Sequence, residues 1–398
     1  MDKALARLAA SLALALALPL RAAGDEAASA PVQAAEPARL AAHGLLIAIA
    51  SAGERLVAVG DRGIIVRSDD QGASWRQADY VPTQALLTGV CFFDAQRGVA
   101  VGDRGIIVLS DDRGATWTQA EYVPSQALLT GVCFLDSRRG VAVGHDQVIL
   151  TTADAGRTWK RTHYAPQAQG PLLDVWCGTG GVVIAVGAYS AYLTSADGGS
   201  SWREVKFTPA APARAGAAPA APAPTGAGDG EGAGGGYHLN RIVAAGAGRL
   251  YIAGEAGHLY ASDDGGETWR TLTSPYEGSF FGVLPLAGEA LLAFGLRGHL
   301  YRSVDAGVSW QQIDTGTVAM LTGATPFDAK ALTIVGLSGV VLVSRDGGRS
   351  FALLQQANRA GLSAVLPAGD DRLVVVGEDG ARQIRPRGTP VAAGRASP

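Results

Sequence analysis

Charged residues are scarce in this sequence, and so are cysteine, methionine and aromatic residues. Only 17% of the 398 residues are charged and 7% are aromatic, and the chain has 3 Cys and 2 Met. A coiled coil or a long helical bundle needs more charge on its exposed faces, and a disulfide scaffold needs more cysteine. The formal net charge of −3 gives no overall attraction to nucleic acid, so we expect no nucleic-acid partner.

Long apolar runs are also missing, except near the N-terminus. Residues 8–20 are mostly Ala and Leu, follow a basic start and precede small residues up to position 24. This run is shorter than the roughly 20 residues that a transmembrane helix needs. Residues 1–24 are therefore predicted to be a signal peptide, with an uncleaved anchor as the alternative. We expect an exported protein, located in the periplasm if it comes from a two-membrane bacterium.

Repetition organises the rest of the chain. Aromatic residues recur at spacings of 42, 42, 43, 67, 41 and 41, at Trp75, Trp117, Trp159, Trp202, Trp269, Trp310 and Phe351. The long interval contains residues 208–236, which are rich in Ala, Pro and Gly and are predicted to be a flexible insertion between blades. Residues 57–98 and 99–140 are identical at 33 of 42 positions, which indicates a recent duplication.

Each repeat contains four short β-forming runs separated by turns rich in Gly and Asp, as between residues 86 and 120. Four strands in about 42 residues are typical of a β-propeller blade. The chain is therefore predicted to be an all-β propeller of four-stranded blades. We expect one propeller domain over residues 32–386 and a disordered tail over residues 387–398.

The turn between the third and fourth runs carries the most specific motif. Its pattern, Ser/Thr-x-Asp-x-Gly-x-Ser/Thr-Trp, is an Asp box, and seven copies are present, the last with Phe in place of Trp. The carboxylate can accept hydrogen bonds from turn N–H groups, and the glycine permits positive φ. Seven copies around a ring cannot share one catalytic centre, so we interpret them as structural. The carboxylates are those of Asp70, Asp112, Asp154, Asp197, Asp264, Asp305 and Asp346.

The blade count follows from the end of the chain. After seven complete repeats, three further β-forming runs lie between residues 362 and 385, and the fourth is missing. Residues 32–37 resemble residues 117–124 and are predicted to supply it, closing the ring with an N-terminal strand. This predicts eight blades; the alternative is seven blades with the tail outside the ring.

Together these motifs resemble a known family. The Asp boxes stand on a Val-x-Val-Gly-x-x-Gly-x-Ile-x-x-Ser framework with Gly-Val-Ala-Val-Gly elements, behind an export signal. This combination is similar to the bacterial propeller family related to the photosystem II assembly and stability factor of cyanobacteria and chloroplasts. The resemblance implies a non-enzymatic scaffold for an envelope or membrane protein client, such as a transporter or a photosynthetic-type complex.

The alternative function is a glycan-binding or sialidase-like, glycan-hydrolysing propeller, because sialidases also carry Asp boxes. A sialidase needs an Arg cluster, a Tyr–Glu nucleophile pair and a separate Asp acid. The sequence shows no such set; the nearest feature is the adjacent pair Tyr276 and Glu277. We therefore predict that the protein is not an enzyme, has no catalytic residues and needs no cofactor.

Metal and redox sites are not indicated either. The six His residues lack the spacing of metal ligands. Cys91, Cys133 and Cys177 lie in the first β-forming runs of three successive repeats. We interpret them as occupying the same repeat position. We expect their Cα atoms to lie beyond the ~7 Å limit for a disulfide, leaving buried free thiols.

Binding is expected on one face of the propeller. Loops that join the second and third strands, and one blade to the next, are expected to open on the side opposite the Asp boxes. Loops on a rigid scaffold often carry binding residues, and Arg and Tyr are enriched at interface hot spots. We predict a monomer that binds its client through this face. The candidate residues are Asp61, Arg62, Tyr80, Asp103, Arg104, Tyr122, His145, Tyr164, Tyr276 and Arg297.

Overall fold

The computed structural model describes residues 33–168, 170–211, 236–246, 248–328, 330–369 and 372–385. The predicted signal peptide, the predicted tail and most of the predicted insertion lie outside the described residues. The chain divides into Met1–Gln33 and Ala34–Pro398, and the description below concerns the second unit. No helix in the described part of the chain is long and apolar enough to cross a membrane.

Eight antiparallel sheets follow one another, each built from strands that are consecutive in the chain. The second strand of every sheet is buried along its whole length, as in the Gly-Val-Ala-Val-Gly run of residues 98–102. Such a strand has sheet on both sides and blades packed on both faces, which explains why it is mostly apolar, with Arg55 and Thr333 as buried polar exceptions. The protein is an eight-bladed β-propeller, as predicted, and the seven-bladed alternative is wrong.

The strands of the first four blades have the following bounds. Blade one contains β1 (Leu46–Ala52), β2 (Arg55–Gly60), β3 (Ile65–Ser68) and β4 (Arg76–Gln77). Blade two contains β5 (Leu87–Phe92), β6 (Gly98–Gly102), β7 (Ile107–Ser110) and β8 (Thr118–Gln119). Blade three contains β9 (Leu129–Phe134), β10 (Gly140–Gly144), β11 (Ile149–Thr152) and β12 (Lys160–His163). Blade four contains β13 (Leu172–Cys177), β14 (Val183–Gly187), β15 (Tyr192–Ser195) and β16 (Arg203–Glu204).

The other four blades repeat this order. Blade five contains β17 (Leu239–Ala244), β18 (Leu250–Gly254), β19 (Leu259–Ser262) and β20 (Arg270–Thr271). Blade six contains β21 (Phe280–Pro285), β22 (Leu291–Gly295), β23 (Leu300–Ser303) and β24 (Gln311–Ile313). Blade seven contains β25 (Leu321–Pro326), β26 (Leu332–Gly336), β27 (Val340–Ser344) and β28 (Ala352–Gln355). Blade eight contains β29 (Leu362–Pro367), β30 (Leu373–Gly377) and β31 (Gly380–Ile384).

Short 3₁₀ turns are the helical elements of the described chain. Most of them connect the second and third strands of a blade. They are Ala41–His43, Asp61–Gly63, Asp103–Gly105, His145–Gln147, Thr179–Gly181, Ala188–Ser190, Leu296–Gly298 and Leu337–Gly339.

The core lies between adjacent blades. In the cluster between blades one and two, fully buried Trp117 packs with residues such as Val59 and Leu87. Trp117 Nε1 also donates to Gly114 O of its own Asp box at 3.2 Å. The indole of Trp117 therefore links its own Asp-box hairpin to the neighbouring blade.

A β-bulge near the start of each inner strand helps to join the blades. In β5, the pairing with β6 shifts between Leu87 and Gly89, and Thr88 is left out of the ladder. Thr88 Oγ1 donates to Leu129 O of blade three at 2.6 Å. A bulge re-aims its extra residue, and here that residue links one inner strand to the next. Thr130, Asn240, Thr322 and Ser363 make the corresponding bonds.

The ring closes between blades eight and one without an added strand. Ser363 Oγ donates to Leu46 O at 2.7 Å, and the faces of the two blades pack together. Among residues 33–37, which were predicted to complete blade eight, no strand forms, and blade eight keeps three strands. Ala35 N donates to Val81 O at 2.9 Å, and the side chain of Gln77 bonds the backbone at Glu36, so the segment follows blade one instead. Its Ala, Glu and Pro residues are poor strand formers.

The cysteine prediction is wrong. Cys133 and Cys177 form a disulfide with their Cα atoms 5.8 Å apart, and Cys91 is free. The registers show that Cys133 pairs with the second residue of β10, whereas Cys177 pairs with the first residue of β14. Cys177 is thus offset by one residue and occupies the repeat position of Phe134. Because successive side chains of a strand point to opposite faces, Cys177 turns back toward blade three and meets Cys133.

Candidate binding face

Turns between the second and third strands share an unusual backbone. Their middle residues have positive φ, with Arg62 at 51°, Arg104 at 55° and Arg297 at 55°. A non-glycine residue in this region costs on the order of 1 kcal/mol. The turn lifts the middle side chain into solvent, so the Arg62 and Arg104 side chains are 83% and 77% exposed. The other middle residues with positive φ are Asp146, Tyr189, Ala256 and Ser338.

These turns meet the loops that join successive blades. Gly63 N donates to Ala85 O at 2.8 Å, and Gly105 N donates to Ala127 O at 2.9 Å. A Cβ on Gly105 would lie 2.1 Å from Ser125 O, so close approach as well as positive φ requires glycine there. Both sets of loops therefore lie at one end of the blades, which we call the turn face.

Blades one to three form the first part of the turn face, which we call the arginine arc (Asp61, Arg62, Asp103, Arg104 and His145). Arg62 and Arg104 each hold the preceding aspartate through Nε, at Nε–Oδ2 distances of 3.4 Å. These exposed pairs are weak, so the remaining guanidinium N–H groups can bond a partner. Burial lowers the pKa of His145, against the opposing effects of Asp146 and Asp103, so this side chain is neutral near pH 7.

Tyr80 and Tyr122 lie elsewhere. Tyr80 pairs with Thr116, and Tyr122 with Thr158, in parallel bridges to the Asp box of the next blade. Tyr80 O accepts the N–H of Trp117 at 2.9 Å. The twist of each sheet carries the end of its outer strand toward the next blade. The structure therefore places both tyrosines beside Asp boxes and not, as predicted, beside the turn face.

Tyr164 has the same repeat position but a different location. Strand β12 has four residues where β4 and β8 have two, so the chain stays longer with its own blade. Ala165 N donates to O of Asp146, a turn-face residue, at 3.0 Å. Tyr164, the preceding residue, therefore lies beside the turn face. The Arg161 guanidinium carbon lies 4.5 Å from the centre of the Tyr164 ring, a cation–π contact.

Tyr276 and Glu277 do not form an enzyme-like pair. The Tyr276 ring packs against His299 with ring centres 4.1 Å apart, and also contacts Phe280 and Tyr301. Glu277 is exposed. Since Tyr276 is committed to packing with His299, no nucleophile pair is assembled here.

Apart from Tyr276, sequence reasoning missed a second part of the turn face, in blades four to six. We call it the aromatic arc (Tyr189, Tyr237, His238, His258, Tyr276 and His299). Tyr189 contacts His238, and Tyr237 stacks on His258, with ring centres 4.9 and 3.9 Å apart. The signal was available in the sequence. His258 and His299 follow the turn glycine at a position that is Ile64, Ile106, Val148, Ala191 or Val340 in other blades.

The Asp boxes lie at the opposite end of the blades. Asp70 accepts from Ser74 N and Oγ at 2.8 and 2.5 Å and from Ser68 Oγ at 2.8 Å. These bonds, led by that from the Ser74 hydroxyl, lower the pKa of Asp70 to about 2. The six other Asp-box carboxylates accept the corresponding bonds. Each carboxylate is occupied by its own hairpin, and in the described ranges no His, Cys, Asp and Glu cluster could hold a metal ion.

Fold and face together define a class: an Asp-box propeller that presents varied turns from a rigid ring. Residues 109–220 match the sequence model of the photosynthesis system II assembly factor YCF48. The matched segment makes the chain similar to this family of BNR-type propellers, which confirms the resemblance predicted from its motifs. No curated protein sequence matches the chain.

Solved structures extend the comparison at the level of the fold. YCF48 from Cyanidioschyzon merolae is 19% identical with a TM-score of 0.57, covering 78% of this chain and 97% of that one. YCF48 bound to a D1 peptide is 17% identical with a TM-score of 0.55, covering 76% and 94%. A GH74 xyloglucanase from Xanthomonas campestris is 15% identical with a TM-score of 0.54, covering 90% and 62%. Binding proteins and an enzyme thus share this architecture, and the fold alone does not decide between them.

Proposed function

We propose that the protein is exported and acts as a non-enzymatic scaffold that binds an envelope or membrane protein client through the arginine arc. The observation that carries the proposal is the exposure of Arg62 and Arg104 on turns with positive φ, each in a weak ion pair with the preceding aspartate. Arginine in this setting can form paired hydrogen bonds to carboxylates or backbone carbonyls of an extended segment.

Similarity to YCF48 supports this assignment. One YCF48 structure is bound to a D1 peptide, so a propeller of this kind can hold a segment of another protein. By analogy, we expect the client of the present chain to offer an exposed segment near the membrane surface. The occupied Asp boxes and the packed Tyr276 favour binding over hydrolysis.

Photo-crosslinking in the native cell tests the proposal. A photoreactive amino acid replaces Arg62, Arg104 or Arg297 on the turn face, and the captured proteins are identified by mass spectrometry. Matched controls at Gln71 and Arg113 lie in exposed Asp-box turns at the opposite end of the blades. We expect the turn-face positions in blades one and two to capture one membrane protein that the control positions do not.

Two results would contradict the proposal. Equal capture from both ends of the propeller would show that the turn face is not the client surface. Recovery of the full-length N-terminus from the cytoplasmic fraction, by N-terminal sequencing, would overturn export.

A further inference from the structure

In the aromatic arc, two residues differ in type from those at the same repeat position in other blades, and the fold does not require this difference. The position after the third turn residue is apolar in blades one to four and in blade seven, yet it is His258 in blade five and His299 in blade six. Placing imidazoles there has a cost, because His299 Nδ1 is buried without a hydrogen-bond partner among the described residues. Five other blades fold with aliphatic side chains at the same place, so packing alone does not explain the two histidines.

Each histidine supports a tyrosine ring. Tyr237 lies on His258 with ring centres 3.9 Å apart and an angle of 27° between the planes. One face of Tyr237 is thus covered by imidazole, while the side chain remains 46% exposed. Tyr276 contacts His299 in the next blade with ring centres 4.1 Å apart. The imidazoles of His258 and His299 therefore hold the rings of Tyr237 and Tyr276 in place within the aromatic arc.

A second exposed ring stands beside Tyr237. Tyr189 occupies the middle of the blade-four turn with a φ of 54° and is 45% exposed. The next residue, Ser190, donates from N and from Oγ to Tyr237 O at 2.9 and 3.2 Å. These two bonds hold the backbones that carry the two tyrosines together.

Polar groups of both kinds surround the rings. Glu255 Oε2 accepts the N–H of His238 at 3.2 Å, and His258 Nδ1 lies 2.9 Å from Glu255 O. The Glu255 side chain is 44% exposed, so it retains acceptor sites toward solvent. Among the described residues of these turns and loops, the carboxylates of Glu255 and Glu277 are partly offset by Arg297, so the charge there is mixed.

These features point to one chemical class of ligand. A β-linked pyranose with equatorial hydroxyl groups has flat C–H faces that stack on aromatic rings, and its rim of hydroxyls needs both donors and acceptors. A highly charged peptide would find little charge to pair with on this surface. We infer that the aromatic arc binds β-linked oligosaccharides, without cleaving them, through stacking on Tyr237 and Tyr189. This surface is separate from the arginine arc and does not depend on the proposed client.

The inference is tested by titrating the whole chain with chitohexaose, cellohexaose and xylohexaose in a calorimeter. We expect at least one of the three to bind with a Kd in the range of about 10 μM to 1 mM, as suits an open surface. Tyr237→Ala should weaken binding by about tenfold or more, while Tyr237→Trp, which keeps a stacking face, should retain it. His258→Val restores the apolar residue of other repeats and should weaken binding without unfolding the protein.

Matched controls come from the other end of the molecule. Tyr80 and Tyr122 are 50% and 61% exposed but lie beside Asp boxes, so Tyr80→Ala and Tyr122→Ala should leave affinity unchanged. Equal thermal midpoints for all variants establish that binding, and not folding, has changed.

Three outcomes would overturn the inference. One is that none of the three sugars binds the wild-type chain; another is that the Tyr237 and control variants bind alike. The third is that decaproline or hexalysine, titrated in the same way, binds at the arc while the sugars do not. None of these results bears on client capture from Arg62, so the scaffold proposal stands or falls separately.

Discussion

Two arcs of one face carry different chemistry on the same backbone. The turns at Arg104 in blade two and Tyr189 in blade four have nearly the same φ, 55° and 54°, but present a guanidinium and a phenol. Next to them, blade two has Gly105 and blade four has Ser190. The comparison teaches that the turn determines where a side chain points and leaves its chemistry open. Functional assignment should therefore begin where repeats diverge.

Two blades, one beneath each arc, differ in how tightly their Asp-box tryptophans are packed. Trp117 in blade two is fully buried, whereas Trp310 in blade six is partly exposed and its Nε1 has no partner among the described residues. We expect Trp117→Ala to lower the free energy of unfolding by about 3–5 kcal/mol and Trp310→Ala by about 1–3 kcal/mol. Urea denaturation followed by circular dichroism measures both. Equal losses would show that burial does not distinguish the two blades.

The disulfide joins the last blade of the arginine arc to the first blade of the aromatic arc. Cys133 and Cys177 are 44 residues apart, and losing a crosslink of this kind costs about 2–4 kcal/mol. We expect Cys133→Ala to reduce stability by that amount, and Cys91→Ala, which removes a free thiol, to reduce it by about 1 kcal/mol. Thiol titration of the unfolded wild-type chain should find one reactive group before reduction and three after it. Three reactive thiols before reduction would contradict the pairing.

Substitutions at the third residue of the turn between the second and third strands show whether blades two and four tolerate the same residues there. Gly105→Ser brings a Cβ against Ser125 O and should cost about 1–3 kcal/mol, because the inter-blade loop must move. The reverse change, Ser190→Gly, relieves a positive φ of 61° and loses the Ser190 Oγ bond to Tyr237 O, so we expect a net change below about 1 kcal/mol. Thermal melts of both variants measure this asymmetry. Equal costs would show that the blade-four loop is no more tolerant than that of blade two.

Asp boxes in the blades of both arcs should contribute to stability with the same dependence on acid pH. Hydrogen bonds from Ser74 and Ser201 hold the pKa of Asp70 in blade one and of Asp197 in blade four at about 2, below the usual 3.8. A lowered folded-state pKa stabilises the protein above pH 3.8, and this contribution is lost as the pH falls toward 2. Asp70→Asn and Asp197→Asn should each flatten this part of the stability profile by a small, similar amount. Urea midpoints at about pH 5 and about pH 2.5 measure the effect, and a profile unchanged by either substitution would contradict it.

Much of the fold could be predicted because its signals are local. The Asp-box residues Ser68, Asp70 and Ser74 bond one another within seven positions, and the buried second strands are predominantly apolar, as in residues 98–102. The site was predicted less well. Arg62, Arg104 and Arg297 stand on the turns where loop position placed them, but Tyr80 and Tyr122 do not. Equal repeat position did not mean equal location for Tyr164, because β12 is longer than β4 and β8.

The sequence by itself determined the period, the hairpins and the number of blades, because each repeat forms its bonds within a few dozen residues. Tertiary structure alone decided which cysteines pair, where the N-terminal segment lies and which tyrosines share a face. Those outcomes depend on contacts between blades. A one-residue offset at Cys177 reverses the direction of its side chain, and the twist of an outer strand carries Tyr80 to its neighbour. Neither effect changes the spacing of the repeats, so a repeat count could not reveal it.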